Sequence, residues 1–199
     1  MKILVIFAHP KPSGSVVQKA LLAAITGLPN VTVHDLYAAH PHFAIDVPAE
    51  QHLLLAHDLI VLQHPFYWYS SPAIIKEWLD LVLENGWAYG PGGTRLSGKF
   101  MMQAVSTGGS GEAYQAQGRN RFTVDHLLVP FNQTAYLCGM AYLEAFAIHA
   151  GRRMATSDLI TQAEAYRDLI VGLRDGLIDP LAMLAPGYSL PPAFHSRAA

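Results

Sequence analysis

Three short stretches of this chain carry residues whose types and spacing suit a phosphorylated planar ligand. The first is residues 8–15, where Ala8, His9, Pro10, Lys11, Pro12, Ser13, Gly14 and Ser15 lead into a helix expected from Val16. A helix start leaves backbone N–H groups free and its dipole favours an anion, so this spot suits phosphate. It is neither the GxGxxG dinucleotide fingerprint nor a Walker loop, which argues against a Rossmann NAD site and against an NTPase. An ordinary Pro/Gly turn accounts for the same residues, with His9 as a phosphate donor or merely a strand-end cap. In the second stretch, residues 64–72, Phe66 is followed by Tyr67, Trp68 and Tyr69, with no alternation that would bury every ring in one core. Exposed aromatics at a crevice grip a flat ring; packing between sheet and helix, or at a dimer contact, is the competing explanation. The third stretch, residues 106–121, opens Ser106, Thr107, Gly108, Gly109, Ser110, Gly111, Glu112, Ala113 and Tyr114. Its glycines let the backbone approach a ligand edge, unless they serve only a flexible connector. A phosphate cradle, an aromatic wall and a backbone-lined edge suit a flavin better than a sugar or a peptide.

Other reactive residue types carry less. His40 and His42 flank Pro41, and without a third ligand nearby they read as a polar loop, so no metal is expected. His52 and His57 read as helix-surface or cap residues. Cys138, before a helix-ending Gly139, reads as a buried inert thiol. His149 follows the last strand and faces either a pocket or solvent, and Glu112 and Asp125 form no evident acid pair.

The elements that must position the three stretches alternate short β-rich runs with longer amphipathic ones, the pattern of a parallel sheet covered by helices on both faces. Strands are expected at residues 2–7, 31–35, 59–63, 99–105 and 141–148, apolar enough to be buried on both sides. Helices are expected at 16–25, 49–56, from Ser71 as N-cap with Pro72 first, within 124–137, and at about 158–173. After Ser71, the residues Ile74, Trp78 and Val82, flanked by Ile75 and Leu79, form one apolar face. The predicted architecture is an α/β three-layer sandwich, a five-stranded parallel sheet with helices on both faces. In such a sheet the ligand crevice lies beyond the carboxyl ends of the strands, where the three stretches fall. Residues 1–178 form the expected domain; residues 179–199, with several prolines and an Ala/Ser/Arg end, read as an extended or partly disordered tail.

Composition narrows the function further. The chain has 199 residues, 51% apolar and 14% charged, with a formal net charge of −2. The charged share is below the ~25% usual for globular proteins, and a subunit interface is one place to bury the excess apolar surface. A nearly neutral chain offers no basic field for nucleic acid, and it lacks the acidic steering patch of a flavodoxin-type one-electron carrier. A single cysteine allows no intrachain disulfide, which is compatible with a reducing compartment. No apolar run is long enough for a secretory signal or a membrane span, so a cytoplasmic protein is expected.

The motifs together resemble the flavodoxin-like NAD(P)H:quinone reductases, the DT-diaphorase family, which implies a flavodoxin-like three-layer sandwich with strand order 2-1-3-4-5. The likeness covers most of residues 1–177, and within it the bacterial ancillary proteins of glutathione-gated potassium-efflux systems are the most similar. It rests on Ala8-His9-Pro10, Gln63-His64-Pro65, Trp68-Tyr69, Gly86-Trp87-Ala88-Tyr89-Gly90 and Thr107-Gly108-Gly109. The resemblance implies that His9 and Ser15, Val16, Val17 and Gln18 contact a flavin phosphate. It implies that Phe66, Tyr67, Trp68 and Tyr69 flank the isoalloxazine, and that Ser106, Thr107, Gly108 and Gly109 bind its pyrimidine edge. Tyr114 would line the substrate pocket, and Trp87 and Tyr89 would close it across a homodimer interface. Two positions depart from the family: Gln18 stands where relatives often have asparagine, and Asn120 where DT-diaphorase has a histidine that stabilises charge on the reduced flavin. Arg119, next in the chain, is the candidate replacement for that charge. The implied activity is two-electron hydride transfer from NADH or NADPH to a quinone by a ping-pong mechanism, nicotinamide and quinone using one ring face in turn. Azo compounds and nitroaromatics are further acceptors of that kind. FMN is the expected cofactor, as in the potassium-efflux relatives, with FAD, as in DT-diaphorase, the alternative. The other role implied is a regulatory subunit docked on a potassium-efflux transporter, peripheral to the inner membrane through that partner.

Overall fold

The computed structural model describes residues 1–188 and 190–195. Runs rich in Val, Ile, Leu and Met form β1 (Ile3–Phe7), β2 (Val31–Asp35), β3 (Leu59–Pro65), β4 (Phe100–Ser106), β5 (Ala141–Tyr142) and β6 (Phe146–Ile148). They pair in parallel in the order β2-β1-β3-β4-β5, with β6 also on β4. The flavodoxin-like order expected from the sequence is thus the one observed. The last expected strand, however, is two. Between β5 and β6 the chain turns aside to meet the segment after Asp179: Leu143 bridges Leu184, and Glu144 N–H donates to Met183 O at 2.7 Å. A ladder with the C-terminal segment therefore competes locally with the one to β4.

The helices are α1 (Val16–Ile25), α2 (Leu36–Ala39), α3 (Val47–Ala56), α4 (Ala73–Val82), α5 (Val124–Leu127), α6 (Val129–Leu137), α7 (Thr156–Asp175) and α8 (Pro192–His195). Strand side chains alternate between two faces. Leu4, Ile6, Ile60 and Leu62 join the core under α3, α4 and α6, whereas Ile3, Val5, Leu59 and Val61 pack against α1 and α7. Ile74, Trp78 and Val82 form the buried face of α4, as their spacing predicts. Ser71 is not the cap of that helix: Pro72 is, because the Ser71 hydroxyl donates to the Pro72 carbonyl instead. The single helix expected within 124–137 breaks at Leu128, just ahead of Pro130, whose ring suits only a first turn.

The tail expectation also needs correction. Pro180–Met183 form a 3-10 turn capped by Asp179, Ala185 N–H donates to Tyr142 O at 3.1 Å, and Ala185 and Phe194 are buried. Phe194 packs edge-on against Phe100, with ring centroids 5.5 Å apart. The prolines punctuate this segment rather than keep it off the core; Ser189 and residues 196–199 of the expected tail lie outside the described residues.

Candidate functional site

The three stretches singled out in the sequence converge at the carboxyl ends of β1, β3 and β4, around a cleft of about 400 Å³. Its walls include His9, Ser15, Val16 and Val17 from the first stretch, Phe66 and Tyr67 from the second, and Ser106, Thr107 and Gly108 from the third. Lys11, Gly14, Pro65 and Gly151 complete it.

The first stretch is built to leave amides free. Pro12–Gly14 make one 3-10 turn, after which Ser15 caps α1, its hydroxyl accepting from Gln18 N–H at 3.2 Å. Helix geometry leaves the N–H groups of Val16 and Val17 without intrahelical partners. His9 is buried beside them, and its Nδ1 accepts from Lys11 N–H at 3.0 Å, which leaves Nε2 as the N–H donor. Burial pushes the His9 pKa below its ordinary value, against a smaller opposing pull from Asp35. The neutral imidazole is therefore the resting form.

The second stretch is a tight turn, with Ser70 N–H donating to Tyr67 O at 3.0 Å and φ of +50° at Trp68 and +62° at Tyr69. Bulky side chains rarely adopt that left-handed region, at a cost on the order of 1 kcal/mol or more each, and such strain gathers at functional sites. It holds the rings outward: Trp68 is 93% exposed, while Phe66 is buried on Tyr114, with centroids 5.9 Å apart. Tyr67 stands edge-on to His9 at 6.0 Å.

The third stretch is open where a ligand edge is expected. A Cβ built at Gly108 meets nothing within 4 Å, whereas one at Gly109 comes within 3.2 Å of the Tyr114 ring. The chain after β6 locks this loop, with Gly151 N–H donating to Thr107 O at 3.2 Å and Ala150 N–H to Gly109 O at 2.7 Å. Val17 and Gly151 must also be close, since a Cβ on Gly151 would lie 2.6 Å from Val17 Cγ2. Nothing local in the sequence marks Gly151; only the return of the chain to β4 brings it to the cleft.

The remaining predicted residues divide. Gln18 is fully buried and points at the strand ends rather than the cleft mouth: its Nε2 donates to His64 O at 2.8 Å and to Ser106 Oγ at 3.0 Å. Among the described residues its Oε1 has no partner. Tyr114 lies behind the cleft at 7% exposure, sandwiched between Phe66 and His149, and burial raises its pKa. His149 faces this interior, its Nδ1 3.2 Å from Thr107 Oγ1, and burial lowers its pKa. Asn120 approaches the aromatic turn, accepting from Tyr69 Oη at 3.4 Å, but Arg119 is exposed and lines no part of the cleft. Trp87 and Tyr89 sit half-buried in a turn held by Gly86 N–H donating to Tyr89 O at 2.8 Å, outside the cleft walls of their own chain.

Outside the cleft, Cys138 is buried, with its thiol pKa pushed up to about 11 by burial, as suits an inert thiol. His52 is exposed on α3, and His57 is the C-cap of that helix. His42 is exposed, but His40 is not in a free polar loop: it is buried and bonded to Glu50, to which His34 also bonds.

A parallel sheet in this order, with a helix start, an aromatic turn and a glycine edge at its switch point, is the arrangement of a flavodoxin-like fold. The chain belongs to the family with the flavodoxin-like fold, whose model matches residues 1–170. It is 48% identical over 165 residues to the glutathione-regulated potassium-efflux system ancillary protein KefG of Pectobacterium atrosepticum, covering 83% of this chain and 90% of that one. Among solved structures, one described as a thermophilic tryptophan halogenase enzyme from Streptomycin violaceusniger is 44% identical at a TM-score of 0.83, covering 84% of this chain and 98% of that one. General stress protein 14 of Treponema denticola, in complex with FMN, is 38% identical at 0.82, covering 89% and 100%. An NADPH-quinone reductase from P. pentosaceus is 37% identical at 0.78, covering 85% and 97%.

Proposed function

We propose that this protein is an FMN-dependent NAD(P)H:quinone oxidoreductase acting as a homodimer. The observation that carries the reading is the cleft itself, with free α1 amides and neutral His9 at one end and strained, outward-held aromatics at the other. The residues fit a flavin in three further respects. Gln18 Oε1 is a buried acceptor awaiting a donor, Gly108 leaves space for a ring edge, and Gly14 likewise has nothing within 4 Å of a built Cβ. Likeness to a structure in complex with FMN and to a quinone reductase supports the same assignment.

When bound, a flavin accepts a hydride from NADH or NADPH and passes two electrons to a quinone. The chain's own task is positioning. The amides of Val16 and Val17 and the Nε2–H of His9 hold the phosphate, and Ser15 keeps the helix start intact. Phe66, Tyr67, Trp68 and Tyr69 wall the ring, while Ser106, Thr107, Gly108 and Gly109 offer backbone groups to its edge. Asn120, tied to Tyr69, presents a neutral amide near that wall, and Arg119, beside it in sequence, is the candidate positive charge. One cleft serving both substrates in turn gives ping-pong kinetics. The homodimer reading draws on exposed apolar side chains that a partner would cover, among them Trp68, Phe122, Val129 and Leu137. Trp87 and Tyr89 would then reach the partner's cleft.

The purified protein should be yellow and release FMN, identified by chromatography, on heating; initial-rate lines for NADH and a quinone should run parallel. A well-folded, colourless protein that takes up neither FMN nor FAD in excess would end this reading. Arg119→Ala should slow reduction by NAD(P)H, and an unchanged rate would remove Arg119 from the mechanism.

A second reading, an ancillary subunit of a glutathione-gated potassium-efflux transporter, is favoured by the 48% identity to KefG. Among the described residues no helix is long and apolar enough to cross a membrane, so such a role would be exercised through a partner. Co-purification with the transporter separates the two. The halogenase description of one neighbour finds no separate support in the cleft residues.

A further inference from the structure

Beside the carboxyl end of β2, apart from the cleft, three side chains from three elements converge. His34 lies on β2, His40 is the C-cap of α2 and Glu50 lies in the first turn of α3. The Nε2 atoms of His34 and His40 are 2.7 and 2.8 Å from the same oxygen, Glu50 Oε1, and one ligand atom of each residue lies within 4.8 Å of the other two. Trp78 on α4 fixes the remaining carboxylate oxygen, its Nε1–H donating to Oε2 at 2.8 Å.

The group is buried and short of positive charge. Glu50 is 1% exposed and His40 7%. Three polar hydrogen-bond partners, His34, His40 and Trp78, converge on the Glu50 carboxylate. Among the described residues no lysine or arginine pairs with it. The two imidazole nitrogens share a single carboxylate oxygen, so three polar side chains are gathered largely out of water around one point.

We propose that His34, His40 and Glu50 form a binding site for a divalent ion of the zinc class, with water in the fourth position. Two imidazole nitrogens and one carboxylate oxygen are a donor set that such ions take, whereas magnesium and calcium ask for more oxygens. Zinc bonds of about 2.0–2.1 Å put tetrahedral ligand atoms roughly 3.3 Å apart, so the two His–Glu contacts need open by only about half an ångström. A cavity of about 610 Å³ bordered by Ala39, Ala44, Asp46 and His52 adjoins the cluster and gives the ion and its water a way in. In the metal-free state each ring carries its hydrogen on Nε2 and donates it to Glu50. Binding takes both Nε2 lone pairs, so the ring hydrogens move from Nε2 to Nδ1 through solvent. Trp78 keeps its bond to Oε2 and orients the carboxylate from outside the coordination sphere. The ion ties the edge strand β2 to α2, α3 and, through Trp78, α4. It is a clamp on the fold, since none of its ligands lines the cleft.

The test uses the full chain, stripped with a chelator and titrated with ZnCl2 against a chromophoric competitor, with Co²⁺ as an optical probe of tetrahedral coordination. The expected result is one equivalent bound with Kd below about 1 µM. Zinc at a hundred times Kd should raise the melting temperature by about 5–10 °C. His34→Gln and His40→Gln keep an N–H for Glu50 but lose the imidazole lone pair, and each should weaken binding at least about 100-fold, beyond the cost of an outer-shell change. His42→Gln, at an exposed neighbour, should leave it unchanged. Should His40→Gln fail to fold, His34→Gln carries the test, its side chain being 18% exposed. No stoichiometric binding tighter than about 10 µM, or wild-type affinity in the folded glutamine variants, overturns the site. Flavin uptake plays no part in these readouts.

Discussion

Replacing Gln18 with methionine separates a cofactor contact from a structural one. Among the described residues Gln18 makes two hydrogen bonds through Nε2, while its fully buried Oε1 has no protein partner. Removing two neutral bonds costs about 1–3 kcal/mol, while removing an orphaned acceptor returns about 1–3 kcal/mol. The two nearly cancel, and at roughly 2–4 °C per kcal/mol the apo melting temperature should move by only a few degrees. If a hydroxyl or N–H of the flavin satisfies Oε1, the wild type regains that penalty on binding and the variant does not. The FMN dissociation constant should then rise about 5–150-fold, the equivalent of 1–3 kcal/mol. Apo protein prepared for both forms and titrated by quenching of FMN fluorescence measures it. An unchanged dissociation constant, with apo and holo melting temperatures falling together, would show that Gln18 serves only the strand ends and that a water fills its vacancy.

What could be read from the sequence was whatever local chemistry decides. Free amides follow from a helix that starts after Ser15, the apolar face of α4 from spacing at Ile74, Trp78 and Val82, and a parallel sheet covered on both faces from the alternation of runs. Features set by distant chain were not readable in that way. Gly151 reaches the cleft because β6 pairs with β4, and no neighbour in sequence announces it. Tyr114 has the residue type of a pocket wall, yet Phe66 and His149 enclose it, which only the meeting of three loops decides. The split of the expected fifth strand depends on residues 183–184, some forty positions on. His40 illustrates the same limit most plainly. Read with His42, two residues away, it is an isolated pair, whereas its actual partners are His34 and Glu50, brought together by the edge of the sheet and α3.

Three further outcomes test the geometry. Gly93→Ala should cost at least about 3 kcal/mol, seen as a melting temperature lower by roughly 6–12 °C, because its Cβ would lie 2.0 Å from the Tyr89 carbonyl oxygen and the turn carrying Trp87 and Tyr89 must deform. Gly108→Val should leave apo stability within about 0.5 kcal/mol, since its first side-chain atom meets nothing, yet weaken FMN binding at least about tenfold by filling the cleft; equal affinity would place the ring edge elsewhere. The last concerns acid. Burial lowers the pKa values of His9, His64 and His149 from an ordinary 6.5, only partly offset by Asp35 at His9, by the Pro65 carbonyl and Gln103 at His64, and by Asp125 at His149. A histidine depressed in the folded state binds its proton later than in the unfolded chain, so below pH 6.5 the unfolded chain holds more protons and folding stability drops until the folded groups titrate too. Each such group contributes a slope of up to about 1.4 kcal/mol per pH unit. The apo melting temperature should therefore hold steady above about pH 7 and fall toward pH 5, and fall less steeply in His149→Gln, which removes one linked proton while keeping a polar neighbour for Thr107. A melting temperature flat across that window, or an equal slope in the variant, would mean that these imidazoles are solvated rather than held neutral by the packing described.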